Sequence, residues 1–481
     1  MITILNFIDG QWSQAAAGGW LDDLEPATGA PLARLPDSGP EDMHRAVSAA
    51  EKACPEWSAR PVSERARLLE RLADLVAEET ESLARLESDD TGKPIALARG
   101  VDMQRAQANL RFFAGAIQHA ASHSHDMGAS GFNYTLRRPL GVVACITPWN
   151  LPLYLLTWKL APALAAGNTV VAKPSELTPL TAHALCELAL KAGFPPGVIN
   201  MVHGTGPKAG QALVDDERIR AISFTGGTAT GRHIALSSAP RLVKLSLELG
   251  GKNPALVFAD ADLDRSVAGL VRSGFTNQGQ MCLCTSRVLV EQAAYDRVRE
   301  RLVAAVRDLR VGDPRAEETE QGAVISAAHQ EKILRMIGQV AEAGGRIHCG
   351  GKAPALPGRC REGWFVAPTV IDGLPEDHPA HFEEIFGPVV TLQPFEDEAD
   401  AIRLANSVRY GLAASIWTRD LACAHRAAAA VEAGIVWVNS WLVRDLRTPF
   451  GGLKESGLGR EGGFYSLEFF SEPRNICISH G

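Results

Sequence analysis

Two of the chain's nine cysteines, Cys282 and Cys284, stand two positions apart in the run NQGQMCLCTSR (277–287). Thiols in such a setting have three ordinary fates. A thiolate can attack a carbonyl carbon and convert it to a tetrahedral adduct. A pair of thiols can share a metal, but this CxC lacks the further cysteine or histidine cluster of a zinc site, so no metal is expected. A free cysteine can also simply pack as a small buried hydrophobe. The cysteines are odd in number and scattered, which suits reduced thiols better than a disulfide framework. Nucleotide binding is a second candidate chemistry. The G-x-G-x-x-G fingerprint is absent, and the nearest stretch, GTGPKAG (204–210), is a looser phrase that is weak evidence by itself.

These residues need elements to position them. From about residue 140, short β-branched runs (GVVACI, NTVVAK, GVINMV, RAISFTG) alternate with helical stretches (LTWKLAPALAA, TPLTAHALCELALKAG, GPKAGQALV, TATGRHIALSS). That alternation predicts βαβ units and a parallel sheet with a ligand crevice at its carboxyl ends. A second α/β series begins with KLSLELGG and PALVFAD and continues through TSRVLVEQ, LAASIWT and GIVWVNS. Residues 41–118 read as mainly helical. GFNYTLRRP and the tail YSLEFFSEPRNICISHG read as projecting strands, either a surface hairpin or an oligomerisation arm.

At 481 residues the chain exceeds one ordinary hydrophobic core, so two or three domains are expected. Its 46% hydrophobic and 22% charged residues, with a mean hydropathy of -0.03, are those of a soluble globular protein. No apolar run reaches the roughly 18 to 20 residues of a bilayer helix, and the N-terminal residues show neither a signal nor a transit peptide. A cytoplasmic address without membrane attachment is therefore expected. A net charge of -8 offers no basic stripe to neutralise phosphates, which argues against a nucleic-acid partner.

Seven phrases resemble the aldehyde dehydrogenase superfamily, in order and at matching intervals: TPWNLP (147–152), KPSE (173–176), FTGGTATG (224–231), LELGGKNP (247–254), NQGQMC (277–282), EEIFGPV (383–389) and PFGGLKESGLGREGG (449–463). The resemblance implies an α/β fold of a Rossmann-like NAD-binding domain (1–125 and 141–249), an α/β catalytic domain (250–440) and a small β oligomerisation arm (126–140 and 464–481). It separates the two thiols: Cys282 matches the nucleophile and Cys284 has no such role. Glu248 matches the base that activates water against the thioester. Asn150 matches a side-chain donor to the oxyanion, with the Cys282 backbone N–H as the second. Lys159 and Glu461 resemble a pair that assists proton exit in parts of the family, although a plain ion pair is an equal reading.

NAD is the implied cofactor. The family lacks the usual glycine fingerprint, so its absence here is consistent, and Gly206 and Gly210 remain candidates in the looser phrase. Lys173 and Glu176 match positions on the adenosine ribose, where a carboxylate would repel a 2′-phosphate and favour NAD over NADP. Thr225, Gly226 and Gly227 lie where the pyrophosphate binds. Gly227 departs from the commoner serine, which leaves backbone N–H groups of the following helix to hold the anion. Glu384 and Phe386 resemble the residues at the nicotinamide ribose and ring, and Trp149 is placed in the same cavity.

A closer likeness, through NFIDG, WNLPLYLLTWKLAP, KLSLELGGKNPA, CLCTSR and NSWLVRDL, is to the muconic semialdehyde dehydrogenases. It implies a 2-aminomuconate or 2-hydroxymuconate 6-semialdehyde substrate, whose remote carboxylate calls for guanidinium groups in an apolar pocket. Arg111 in NLRFFAG and Arg444 in WLVRDL match the carboxylate-binding positions. Their plainer readings are a solvated helix charge and an ion pair with Asp445. Competing functions are a broader-specificity, betaine or aliphatic aldehyde dehydrogenase, and an acyltransferase that resolves the thioester with coenzyme A; Glu248 argues for water instead. A homodimer or homotetramer is the implied assembly.

Overall fold

The computed structural model describes residues 1–481. Its largest sheet has eight strands in the order Gly457–Leu458, Lys244–Glu248, Ile219–Thr225, Val142–Ile146, Thr169–Lys173, Ile199–Met201, Asn6–Ile8 and Gln11–Ser13. The five strands from Lys244–Glu248 to Ile199–Met201 run parallel, and short antiparallel strands close both edges. VVACI and TVVAK are buried at every position, as expected of parallel strands covered on both faces. The covering helices include Pro40–Ala59, Pro152–Ala165 and Leu180–Ala192, and Val62–Glu78 and Gln104–Gln118 pack outside them against Pro152–Ala165.

Register brings the chemistry to one edge. Ile146 pairs with Lys173 and Phe224, and Thr225 pairs with Glu248, so these strands end level with one another. KLSLE therefore completes the first sheet; it does not begin the second. It runs parallel beside Ile219–Thr225, and the break between sheets falls in the following Gly250 and Gly251.

The second sheet has seven strands, in the order Arg346–Cys349, Thr369–Asp372, Val389–Phe395, Thr285–Glu291, Asn253–Val257, Ala413–Trp417 and Ile435–Val438. All are parallel except the first. Asn253 pairs with Thr285, so the loops leading into those strands, which carry Gly250 and Cys282, lie side by side. Gly131–Pro139 pairs antiparallel with Ser471–Ser479 along its whole length and with Ser124–Asp126 on its other side. Residues 465–469, read as strand, are instead part of the helix Gly463–Phe469, which precedes the final strand. No helix is long and apolar enough to cross a membrane, and no group of three or more His, Cys, Asp or Glu is placed to hold a metal ion.

Candidate active site

The loop carrying Cys282 is held in an uncommon backbone shape. After the helix Leu263–Phe275 the chain turns through Asn277 and Gln278, both left-handed with φ of 54° and 55°. Left-handed non-glycine residues carry strain that the surroundings must offset. Their own side chains do so. Gln278 Nε2 donates to the carbonyls of Gly92 (2.9 Å) and Ala323 (3.1 Å), and Asn277 Nδ2 donates to those of Asn150 and Gln280, both at 3.1 Å. Gly279, at φ 67°, must be glycine, since a Cβ there would lie 2.0 Å from the Gly387 carbonyl oxygen.

The two thiols have different surroundings. Cys282 is half-buried and lines a cavity of about 260 Å³ between the sheets. Burial pushes its thiol up from the usual range, and the Glu248 and Glu384 carboxylates push in the same direction. Cys284 is buried in the apolar core, its Sγ 3.6 Å from the Thr276 carbonyl oxygen, and burial pushes it up to about 12. A thiol so placed is inert packing.

Glu248 ends its strand fully buried, with neither carboxylate oxygen hydrogen-bonded. Burial, reinforced by the Glu461 carboxylate, raises its pKa well above the ordinary carboxylate range; Lys159, Arg444 and Arg460 pull the other way. A buried, unpartnered carboxyl with a raised pKa is a stronger base than a solvated one and is suited to exchanging protons. Asn150 is 4% exposed, and its Nδ2 donates to the Gln280 carbonyl at 2.9 Å, leaving one amide N–H uncommitted. Lys159 donates to Glu461 and Ser223, both at 2.9 Å, and Trp158 Nε1 donates to the other Glu461 oxygen at 2.6 Å, so this pair forms a saturated buried network.

On one side of Cys282 the cavity is largely backbone. Thr225, Gly226, Gly227, Leu249 and Gly250 line it together with Trp149, Glu384 and Phe386. The helix Thr228–Ser238 opens here with Gly227 as its uncapped N-terminal residue, and the Thr225 and Thr228 hydroxyls are buried without partners. Free N–H groups at a helix start and unpartnered hydroxyls fit a pyrophosphate. A Cβ on Gly250 would lie 2.3 Å from Glu384 Oε2, whereas one on Gly227 would meet nothing. Glu384 accepts the Gly251 N–H at 3.0 Å. The Trp149 and Phe386 rings meet edge-on at 5.4 Å, with Phe386 in a left-handed backbone at φ 60°.

Lys173 Nζ bonds Glu176 at 3.1 Å and the Pro174 carbonyl at 2.9 Å at the carboxyl end of its strand. Gly210 backs onto the Lys173 stem, 3.6 Å from where its Cβ would be. Gly206 is exposed with nothing near it and does not line the cavity. A phrase spacing carries no information on which of its glycines faces a ligand.

The other side is built of side chains. The Arg444 guanidinium carbon sits 4.5 Å from the centre of the Trp158 ring and 4.0 Å from that of Phe450. Its Nη1 lies 3.4 Å from the Tyr154 hydroxyl, while Nε and Nη2 are buried without partners. The feared ion pair is absent: Asp445 bonds Arg447 at 2.6 Å. Arg111 is not brought to this place. It points outward from the helix Gln104–Gln118 and pairs with Asp74 at 2.9 Å, half of its side chain exposed. The correction has a geometric cause, since Phe113 is fully buried and Arg111, two positions before it, lies about 200° round the helix. The arginine that the helix does present is Arg105, 5.6 Å from the centre of the Tyr154 ring; burial lowers the Arg444 pKa and the nearby Arg105 charge adds to that lowering.

Reading the sequence also passed over His329 and Lys332 of the helix Ala327–Glu342, which line the backbone-rich side. His329 donates from Nε2 to the Phe386 carbonyl at 2.7 Å, and burial pushes its pKa down to about 4, so it is neutral. Only their spacing on one helix face marked them.

The chain matches the family model described as "Aldehyde dehydrogenase family" over residues 12–476. It is 48% identical over 482 residues to the 2-aminomuconic semialdehyde dehydrogenase of Danio rerio, covering 100% of this chain and 99% of that one. It is 45% identical over 484 residues to the 2-hydroxymuconic semialdehyde dehydrogenase of Pseudomonas sp. (strain CF600), covering 99% and 100%. Among solved structures, the NAD+ complex of an aldehyde dehydrogenase from Bacillus cereus superposes with a TM-score of 0.97 at 38% identity, covering 100% of this chain and 97% of that one.

Proposed function

The chain belongs to the aldehyde dehydrogenase family, NAD-dependent oxidoreductases acting on aldehydes, and from that premise we propose that it oxidises a carboxylated semialdehyde, 2-aminomuconate or 2-hydroxymuconate 6-semialdehyde, to the dicarboxylic acid. One observation carries the substrate reading: the guanidinium of the half-buried Arg444 sits in an aromatic cage with its Nε and Nη2 atoms buried and unpartnered. A desolvated guanidinium with unmade hydrogen bonds is costly, and a carboxylate restores those missing bonds. We take Arg105 rather than Arg111 as the second cationic group.

In this reading residues 1–125 and 141–249 hold the dinucleotide, residues 250–440 supply Cys282, and residues 126–140 and 464–481 form an arm for a homodimer or homotetramer. The backbone of Gly226 and Gly227 and the start of the helix Thr228–Ser238 hold the pyrophosphate, Lys173 and Glu176 the adenosine ribose, and Glu384, Phe386 and Trp149 the nicotinamide half. NAD, when bound, accepts the hydride. Cys282 Sγ bonds to the aldehyde carbon and its proton leaves to Glu248, which its raised pKa makes a stronger base than an ordinary carboxylate. The oxygen, now negative, is met by the free Asn150 amide N–H and the Cys282 main-chain N–H. Loss of hydride leaves a thioester. Glu248 gives the first proton up to solvent and then removes a proton from water as the water oxygen attacks the thioester carbon; the C–S bond breaks, and the leaving thiolate takes that proton back from Glu248, returning the Cys282 thiol and the free carboxylic acid.

Turnover of 2-hydroxymuconate 6-semialdehyde against an unsubstituted aliphatic aldehyde, followed by NADH absorbance, tests this. We expect the carboxylated substrate to win by about 10² or more in kcat/KM, the scale of one satisfied buried ion pair. Equal values would show that the substrate is some other aldehyde.

A further inference from the structure

Lys93 is among the largest fully buried side chains, at 0% exposed, and has no place in the chemistry above. Its Nζ donates to Asp102 Oδ2 at 2.6 Å and to the Asn150 main-chain carbonyl at 3.0 Å, and lies 3.7 Å from Glu87 Oε1. A buried ion pair is a poor source of stability, since apolar residues of similar volume often hold a fold as well. What this one contributes is geometry around a single peptide.

The Asn150 carbonyl takes a second hydrogen bond from Asn277 Nδ2 at 3.1 Å. Asn277 Nδ2 also donates to the Gln280 carbonyl, at 3.1 Å, and that carbonyl receives the Asn150 carboxamide at 2.9 Å. A closed ring of bonds therefore fixes which way the Asn150 amide points, and Lys93 anchors the ring from outside. Beyond Asn150, Glu87 Oε2 accepts the Leu153 N–H (3.4 Å) at the start of the next helix, and the Thr181 hydroxyl (2.7 Å). Before Lys93, the Gly92 carbonyl accepts Gln278 Nε2 (2.9 Å) from the loop that carries Cys282. One segment, residues 87–102, thus grips both the oxyanion asparagine and the nucleophile loop.

We propose that the buried Lys93–Asp102 pair is a positioning device that holds the Asn150 carboxamide on the oxyanion. The proposal rests on the reading of Asn150 as an oxyanion donor. Its test uses Lys93→Met and Asp102→Asn in the full chain, each alone and combined with Asn150→Ala. Each single change is expected to lower kcat by about ten- to a hundredfold, short of the loss of a whole donor. The aldehyde KM, the NAD dissociation constant from fluorescence titration, and the rate of Cys282 alkylation by iodoacetamide should stay at wild-type values, because alkylation forms no oxyanion.

Combined with Asn150→Ala, neither change should cost more, since both act through that amide. Folded variants with wild-type kcat, losses that multiply with Asn150→Ala, or alkylation and NAD binding that fall in parallel with kcat would each overturn the proposal. Should Lys93→Met not fold, Asp102→Asn carries the same decision. Failure of both to fold would make the pair a stability element and end the proposal. Wild-type kcat in Asn150→Ala alone would instead remove Asn150 from the oxyanion site, a failure of the underlying reading that is visible separately.

Discussion

The surroundings on the two sides of Cys282 are made of different material. The side proposed for the cofactor presents backbone: Gly226, Gly227 and Gly250, the start of one helix, and a carboxylate resting on a main-chain N–H. The side proposed for the substrate is side chain: Arg444 between Trp158 and Phe450, with Tyr154 and Arg105 beyond. Backbone donors are indifferent to most substitutions but intolerant of any Cβ in the wrong place, so that side suits a ligand that never changes. Side chains from separate segments are replaceable one at a time, which suits the part that decides among aldehydes.

Cys282 and Glu248 sit where the two sides meet, and their loss should be felt whichever substrate is used. Cys282→Ala is expected to lower NADH production by at least about 10⁴-fold with every aldehyde. Iodoacetamide mapped by mass spectrometry should mark Cys282 before the buried Cys284. Glu248→Gln should cost about 10²- to 10⁴-fold, the worth of a general base, and should also change the pH dependence.

Because burial and Glu461 raise the Glu248 pKa, the wild-type kcat/KM should climb with pH through a limb lying above the ordinary carboxylate range, and the glutamine variant should lack that limb. Stability carries the opposite sign. The folded state holds the proton more tightly than the unfolded one, so wild type loses stability as pH rises from the unfolded carboxylate pKa to the folded one. Glu248→Gln should therefore melt higher than wild type in alkali, with the gap closing in acid. A flat difference in Tm across that range would contradict the raised pKa.

The arginines sharpen the contrast. Arg444→Met is expected to lower kcat/KM for the carboxylated semialdehyde by about 10²-fold while sparing an unsubstituted aliphatic aldehyde and NAD affinity. Arg105→Met should act in the same direction and less strongly, since Arg105 has no buried, unpartnered nitrogen of the kind Arg444 has and lies over the Tyr154 ring at 5.6 Å. Arg111→Ala should leave both substrates untouched, for its exposed pair with Asp74 is worth at most about 1 kcal/mol. Loss of activity in Arg111→Ala with Arg105→Met silent would reverse the assignment between them.

That pair of residues also shows what the sequence could and could not say. The sheets were legible because buried parallel strands are short, β-branched and punctuated, as VVACI and TVVAK are. Glycine-marked positions such as Gly226 and Gly250 were legible because close backbone approach leaves a residue type behind. Helix phase was not. The helix Gln104–Gln118 continues a π-helical turn at Ala98–Met103, which adds residues to the turn and shifts every later side chain round the axis. Two phenylalanines beside Arg111 suggested a buried face, but only Phe113 is on it. Lys93 left no signal at all, because a lysine in a glycine–proline turn reads as solvated until its partners Asp102 and Asn150 are seen to surround it.

The smallest expected effect probes the cofactor side. Gly227 has an extended backbone, φ -69° and ψ 146°, at the N-terminus of the helix Thr228–Ser238, with open space where a Cβ would stand. Gly227→Ser therefore enters without strain. Serine caps a helix better than glycine by a few tenths of a kcal/mol, so Tm should rise slightly. Its hydroxyl could also donate to the pyrophosphate, a single hydrogen bond worth about 0.5–1.5 kcal/mol, which should tighten NAD by about two- to tenfold in a fluorescence titration. If the cap forms and NAD affinity does not move, the main-chain N–H groups already satisfy the anion and the side chain is superfluous there. If affinity rises beyond tenfold, the anion depends on a side chain after all, and the division between a backbone side and a side-chain side of Cys282 fails where it was drawn most firmly.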